Sequence, residues 1–144
     1  DSSGNFAAGT ITATATQAQY ADLAEIYASD EQYEAGTVVK LGGSAEITQT
    51  TNHADTEVFG VISTDPAYLM NKDAEGLPVA LTGRVPVKVI GKVCKGERLI
   101  SSDVPGVAWA LGEDEYDARA VIGRSLEDKE DGDAGVIEAV IGVK

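Results

Sequence analysis

From Gly36 onward the hydrophobic positions come in short runs, some alternating with polar residues and some wholly apolar, none with a sustained helical period. The runs "TVVKL", "AEITQT", "EVFGVIST", "LPVALTG", "RVPVKVIGKV", "ERLISS", "VAWAL", "ARAVIGRSL" and "GVIEAVIGV" predict nine short strands. Between them lie "GGS", "TNHAD", "TDPAYLMNKDAEG", "CKG", "SDVPG", "GEDEYD" and "EDKEDGDAG", rich in the Gly, Pro, Asn and Asp that turns require. Before Gly36 the pattern changes twice. Thr10, Thr12, Thr14 and Thr16 alternate with Ile11, Ala13 and Ala15, a strand whose apolar face is small. Such a strand buries little alone, so it is expected to pack against copies of itself or along another sheet. Tyr20, Leu23, Ala24 and Tyr27 then fall at i, i+3, i+4 and i+7, with Thr16 and Gln19 spaced as a capping box. This predicts a short helix over residues 17–28. Read as a strand, the segment sets Glu25 between Leu23 and Tyr27 on one face, the weaker pattern. The acidic "SDEQYE" and Gly36 close the element.

Three parts follow: a lead-in and small-faced strand over 1–16, a junction helix and acidic loop over 17–35, and a β-rich domain over 36–144. The last carries an internal repeat at about 36–91 and 96–144. "EAGTVVKLGGSAEI" parallels "CKGERLISSDVPGVAWA", and "EVFGVIST" parallels "RAVIGRSL", which sets Gly60 opposite Gly123. "VALTGRV" parallels "EAVIGV", which sets Gly83 opposite Gly142.

Composition agrees with a β fold: 43% of the 144 residues are hydrophobic, few are aromatic, and sixteen are Gly. Charge narrows the partners. A net charge of −13 repels phosphates and anionic headgroups, so neither nucleic acid nor a membrane surface is expected as a partner. No apolar run reaches the length of a membrane span, and the start "DSSGNFAAGT" lacks the basic and apolar regions of a signal peptide. With one cysteine, Cys94, and one histidine, His53, the chain makes no internal disulfide and no Cys/His zinc cluster.

Each stretch with candidate chemistry has a plainer reading. "EDKEDGDAGVIE" places Gly132 and Glu138 like the glycine and last glutamate of a calcium loop, but Lys129 stands where an oxygen ligand is needed. An acidic hairpin turn is expected there instead. His53 sits in a polar turn, and Cys94 ends a strand between two lysines that favour its thiolate. No glycine run matches a phosphate-binding loop. Trp109, Tyr33, Tyr68 and Tyr116 offer a sugar-stacking surface or, more commonly, core. On a helix Asp22 and Glu25 share one face, close enough for paired acid/base work. No cofactor or metal is expected.

"SGNFAAGTITAT", "YADLAEIY", "GTVVKLGG", "EVFGVISTDPAYLMN", "VALTGRVPVKVIGKVCKGERLISS", "PGVAWA" and "VIGRSLEDKEDGDAGVIEAVIG" together resemble the C-terminal head domain of bacteriophage tail-fibre and appendage proteins. The resemblance spans nearly the whole chain. It implies a virion structural protein made in the host cytoplasm: a mainly β, trimeric domain of β-clip or β-sandwich type with short antiparallel strands, an N-terminal strand and one short helix. Ile11, Ala13, Ala15, Tyr20, Leu23 and Tyr27 would line the trimer interface. Other virion proteins are the expected partners, and a host-surface glycan is a further one. A weaker similarity, through "YA-x-x-AE-x-Y" and "GVIS-x-x-P", is to autoproteolytic intramolecular-chaperone domains of phage appendages. On that match Asp22 and Glu25 are the cleavage residues, although the stretch after "PAYLMN" is shorter and more strand-like than in those domains. The Gly-strand-turn-strand units also resemble β-clip capsid decoration proteins.

Overall fold

A computed structural model describes residues 21–113 and 117–144. Among these residues the fold is mainly β, a compact domain of ten strands. In chain order they are β1 (Asp22–Tyr27), β2 (Val38–Leu41), β3 (Ile47–Gln49), β4 (Val58–Ile62), β5 (Tyr68–Met70), β6 (Leu77–Val89), β7 (Arg98–Ser101), β8 (Ala108–Ala110), β9 (Gly123–Ser125) and β10 (Gly135–Ile141). One 3-10 turn, Ala118–Ala120, is capped by the Asp117 carboxylate, which accepts the Arg119 N–H.

The helix expected over 17–28 is corrected where the chain is described: residues 22–27 are strand β1. Asp22, Ala24 and Ile26 turn inward, while Leu23, Glu25 and Tyr27 lie half-buried on the other face. The helical spacing loses because β1 is hydrogen-bonded on both edges, parallel to β5 and antiparallel to β6, a ladder that outweighs local propensity. Two of the expected strands, "LPVALTG" and "RVPVKVIGKV", fuse into the long β6, and "ARAVIGRSL" divides into the 3-10 turn and β9. β5 arises inside the stretch read as a loop. Pairing is antiparallel except for β1 with β5 and β6 with β8.

The long β6 belongs to two circuits. Its second half pairs with β10 and β8, and β8–β7–β9–β10 completes a small closed barrel. Its first half lies between β1 and β4, since Val79 and Ala80 have partners on both. From β4 the order runs through β2 to β3, and a parallel bridge from Ser29 to Ile47 returns it to the end of β1.

One pairing plan is used in both circuits. Val39 opposes Gly60 as Leu99 opposes Gly123. Gly36 and Gly96 share φ +89, a left-handed conformation that favours glycine. Their N–H groups donate to Ile62 O and Ser125 O, both at 2.8 Å. Ile62 N–H returns to Thr37 O, and Ser125 N–H to Glu97 O, both at 2.9 Å. The correspondence reaches back before the two glycines. Ala24 pairs with Ala80 as Arg84 pairs with Val140, so β1 has the place in the first circuit that the second half of β6 has in the second.

Burial follows the circuits. Val39, Ile47, Ile62 and Val79 form the core of the first, with Tyr27, Tyr33, Phe59, Leu77 and Leu81 packed against them. Val85, Val87, Val89, Leu99, Ala139 and Ile141 form that of the second, joined by Val38, Val61 and Ala80 from the first. The two circuits therefore share a core and stand as one body.

Candidate functional site

The segments carrying the appendage resemblance meet around β1. Asp22 is 5% exposed and its Oδ2 accepts the Ser63 hydroxyl at 2.6 Å. Its carbonyl accepts the Ala67 N–H at 2.8 Å, and Ser63 N–H donates to Pro78 O at 2.8 Å. "YADLAE", "GVISTDPAYLMN" and "VALTG" are thus brought together around β1 by backbone pairing, with the buried Asp22 carboxylate adding its bond to Ser63. The sequence reading missed Ser63. Its one signal was its place inside the "GVIST" motif, since its partner lies far away in the chain.

Glu25 does not join this node. Residues three apart on a strand face opposite ways, so the shared face expected of Asp22 and Glu25 is corrected. Glu25 Oε1 instead accepts the Tyr27 hydroxyl at 2.7 Å. Burial, then the hydrogen bond to Glu25 and the charges of Glu25 and Glu46, push the Tyr27 phenol up to about 12. The Tyr27 ring meets Phe59 edge-on, with centroids 4.9 Å apart. Part of its apolar surface is therefore used inside the chain, as is that of Leu23, which is half-buried in β1 between Tyr68 and Thr82. Ile11, Ala13, Ala15 and Tyr20 lie outside the described residues.

The aromatic residues are placed in separate settings. Tyr33 packs on the first core, and its hydroxyl donates to Asp30 Oδ1 at 2.6 Å, which holds the Asp30 carboxyl below its ordinary range. Trp109 packs beside Ile100, Ala120 and Val121 and donates from Nε1 to His53 Nδ1 at 3.2 Å, the two rings edge to face. Tyr68 is 64% exposed on β5, and Tyr116 lies outside the described residues. Cys94 is exposed, but its thiol is pushed up by a hydrogen bond to Glu97, then by desolvation, against the lowering expected from its lysine neighbours.

The acidic loop is organised by its lysine. Lys129 is 9% exposed, and its Nζ donates to Gly91 O at 3.0 Å, Asp131 O at 2.9 Å, Asp131 Oδ1 at 2.9 Å and Asp133 O. The ammonium stands among the oxygens where a calcium loop would hold its ion, which accounts for a cation at that sequence position. Among the described residues no group of three or more His, Cys, Asp or Glu is placed to hold a metal.

A cavity of about 120 Å³ lies where the circuits join, lined by Phe59, Gly60 and Leu81 and by Ile122, Ile141 and Gly142. Two cations also line it, both engaged: Arg119 with Asp117 at 3.0 Å and Lys144 Nζ with Ala118 O at 2.7 Å. Neither a family model nor a curated protein matches the chain.

Proposed function

We propose that the chain is a virion structural domain, the trimeric head of a phage fibre or appendage, working in assembly and in attachment to the host surface. One observation carries the reading: the motifs that resemble appendage heads, distant in sequence, converge on β1 and the strands it pairs with, where Asp22 is bonded to Ser63. They form a structural unit where separate surface signatures would not need to meet. Two further features support an oligomer. β5 pairs with β1 alone among the described strands, leaving an edge that invites another strand, and Tyr68 on it and Val136 on β10 are 64% and 58% exposed. Residues 10–16, outside the described residues, alternate Thr with Ile and Ala in sequence, a pattern suited to bundling around a threefold axis. Native mass spectrometry tests this: the full chain should give a trimer, and a chain starting at residue 21 should give a weakened one. A monomeric full chain would remove the reading.

Self-cleavage is the second reading, favoured by the buried Asp22 carboxylate on the Ser63 hydroxyl. Intact mass of a longer parent chain decides it. An uncut chain excludes it, and a cut lost in Asp22→Asn establishes it.

A further inference from the structure

The two circuits differ most at one row of equivalent positions. In the first, Ala24, Ala80, Val61 and Val38 lie side by side across β1, β6, β4 and β2. Each is 0% exposed, and the last three pack into the core of the second circuit. In the second circuit the same row, across β6, β10, β9 and β7, reads Arg84, Val140, Arg124 and Arg98. Three of the four arginines of a chain with net charge −13 stand in this line. Arg84 is exposed and Val140, Arg124 and Arg98 are half-buried, with Val136 exposed four residues away along β10. Arg124 Nε donates to Gly96 O at 2.8 Å, and Arg98 has contacts of its own. Arg98 and Arg124 are directly opposed, a placement of like charges that weakens a sheet.

We infer that the arginine row is the contact face for a second copy of this chain, and that it receives the acidic loop of residues 127–133. The occupant follows from charge. Every copy carries this loop, and because Lys129 turns its ammonium inward, the Glu130 and Asp133 carboxylates stay exposed at the surface, Glu130 beside Lys92 Nζ at 3.5 Å. Neighbouring strands lie about 4.8 Å apart, so the row follows the outside of the barrel over an arc on the order of 15 Å. A row on one copy and a loop on the next make a head-to-tail contact, the kind that closes into a ring when the rotation between copies divides the full circle. The inference rests on the homo-oligomer reading and specifies its surfaces.

Charge reversal tests it, read by sedimentation in low and high salt. Arg84→Glu with Arg124→Glu, and separately Glu130→Lys with Asp133→Lys, should each weaken association at least tenfold with the far-ultraviolet spectrum unchanged. Arg84→Glu alone, which removes no hydrogen bond seen among the described residues, should weaken it less. Combining the two reversals should restore the oligomer. Association of the wild type should weaken between about 0.1 M and about 1 M salt, where the screening length falls from roughly 10 Å to roughly 3 Å. A wild-type oligomer unmoved by both reversals overturns this contact and leaves the homo-oligomer reading standing. A monomeric wild type overturns both. A monomer retained on a sulfated polysaccharide through Arg84 and Arg124 assigns the row to an anionic glycan and overturns the contact between copies.

Discussion

Asp22 carries a carboxylate into the fold and has the Ser63 hydroxyl for its partner. Replacing it by Ala leaves that hydroxyl buried without an acceptor, at a cost of about 2–3 kcal/mol in urea unfolding; Asn keeps an acceptor and should lose less than half as much. Lys129 makes the complementary case, an ammonium whose loss leaves four oxygens without their donor. Lys129→Met should cost about 2 kcal/mol or more and loosen residues 127–133 in hydrogen exchange. At Asp55 burial works against ionisation, but the Glu57 N–H and the Lys40 ammonium at 3.0 Å outweigh it and hold the carboxyl below its ordinary range. A carboxyl lowered in the folded state contributes stability that is present above its unfolded value, about 3.9, and is lost as the pH falls through the folded one. Asp55→Asn should therefore lower the Tm most near neutral pH, with the difference from wild type shrinking below about pH 4. A difference that grows on acidification would contradict this.

At the scale of elements, Gly60 and Gly123 mark the same step of the two circuits. A Cβ at Gly60 would lie 2.4 Å from Ala80 O, and one at Gly123 would lie 2.1 Å from Val140 O, both backbone atoms that cannot turn aside. Alanine at either should cost at least about 1–3 kcal/mol, while Gly132→Ala, with open space around it, should stay within about 0.5 kcal/mol. Much of this framework was legible beforehand, because period-two runs separated by Gly, Pro and Asp leave little choice but short strands. Of the repeat's glycine matches, Gly60 and Gly123 hold equivalent places in the pairing, while the register sets Thr82, one residue before Gly83, against Gly142. β1 was not: its residues satisfy a helical spacing, and only ladders to strands far along the chain decide against it. β5 is three residues long and hidden in a turn-rich stretch, too short to show a period. Ser63 and the oxygen cage of Lys129 depend on contacts across many residues, which composition and spacing do not carry. The arginine row is invisible for the same reason, since its members come from separate strands.

For the whole molecule, two circuits around one long strand share a core, and Arg84, Arg124 and Arg98 stand in one row across the second. Such a body suits a building block. The edge of β5 that no described strand pairs with, the exposed Tyr68 and Val136 and the arginine row are the surfaces that association would use. The central claim is that this chain assembles with copies of itself, and sedimentation equilibrium at micromolar concentration tests it most directly. A single species three times the 14.9 kDa chain mass is predicted. A 14.9 kDa species across the whole concentration range would contradict the account.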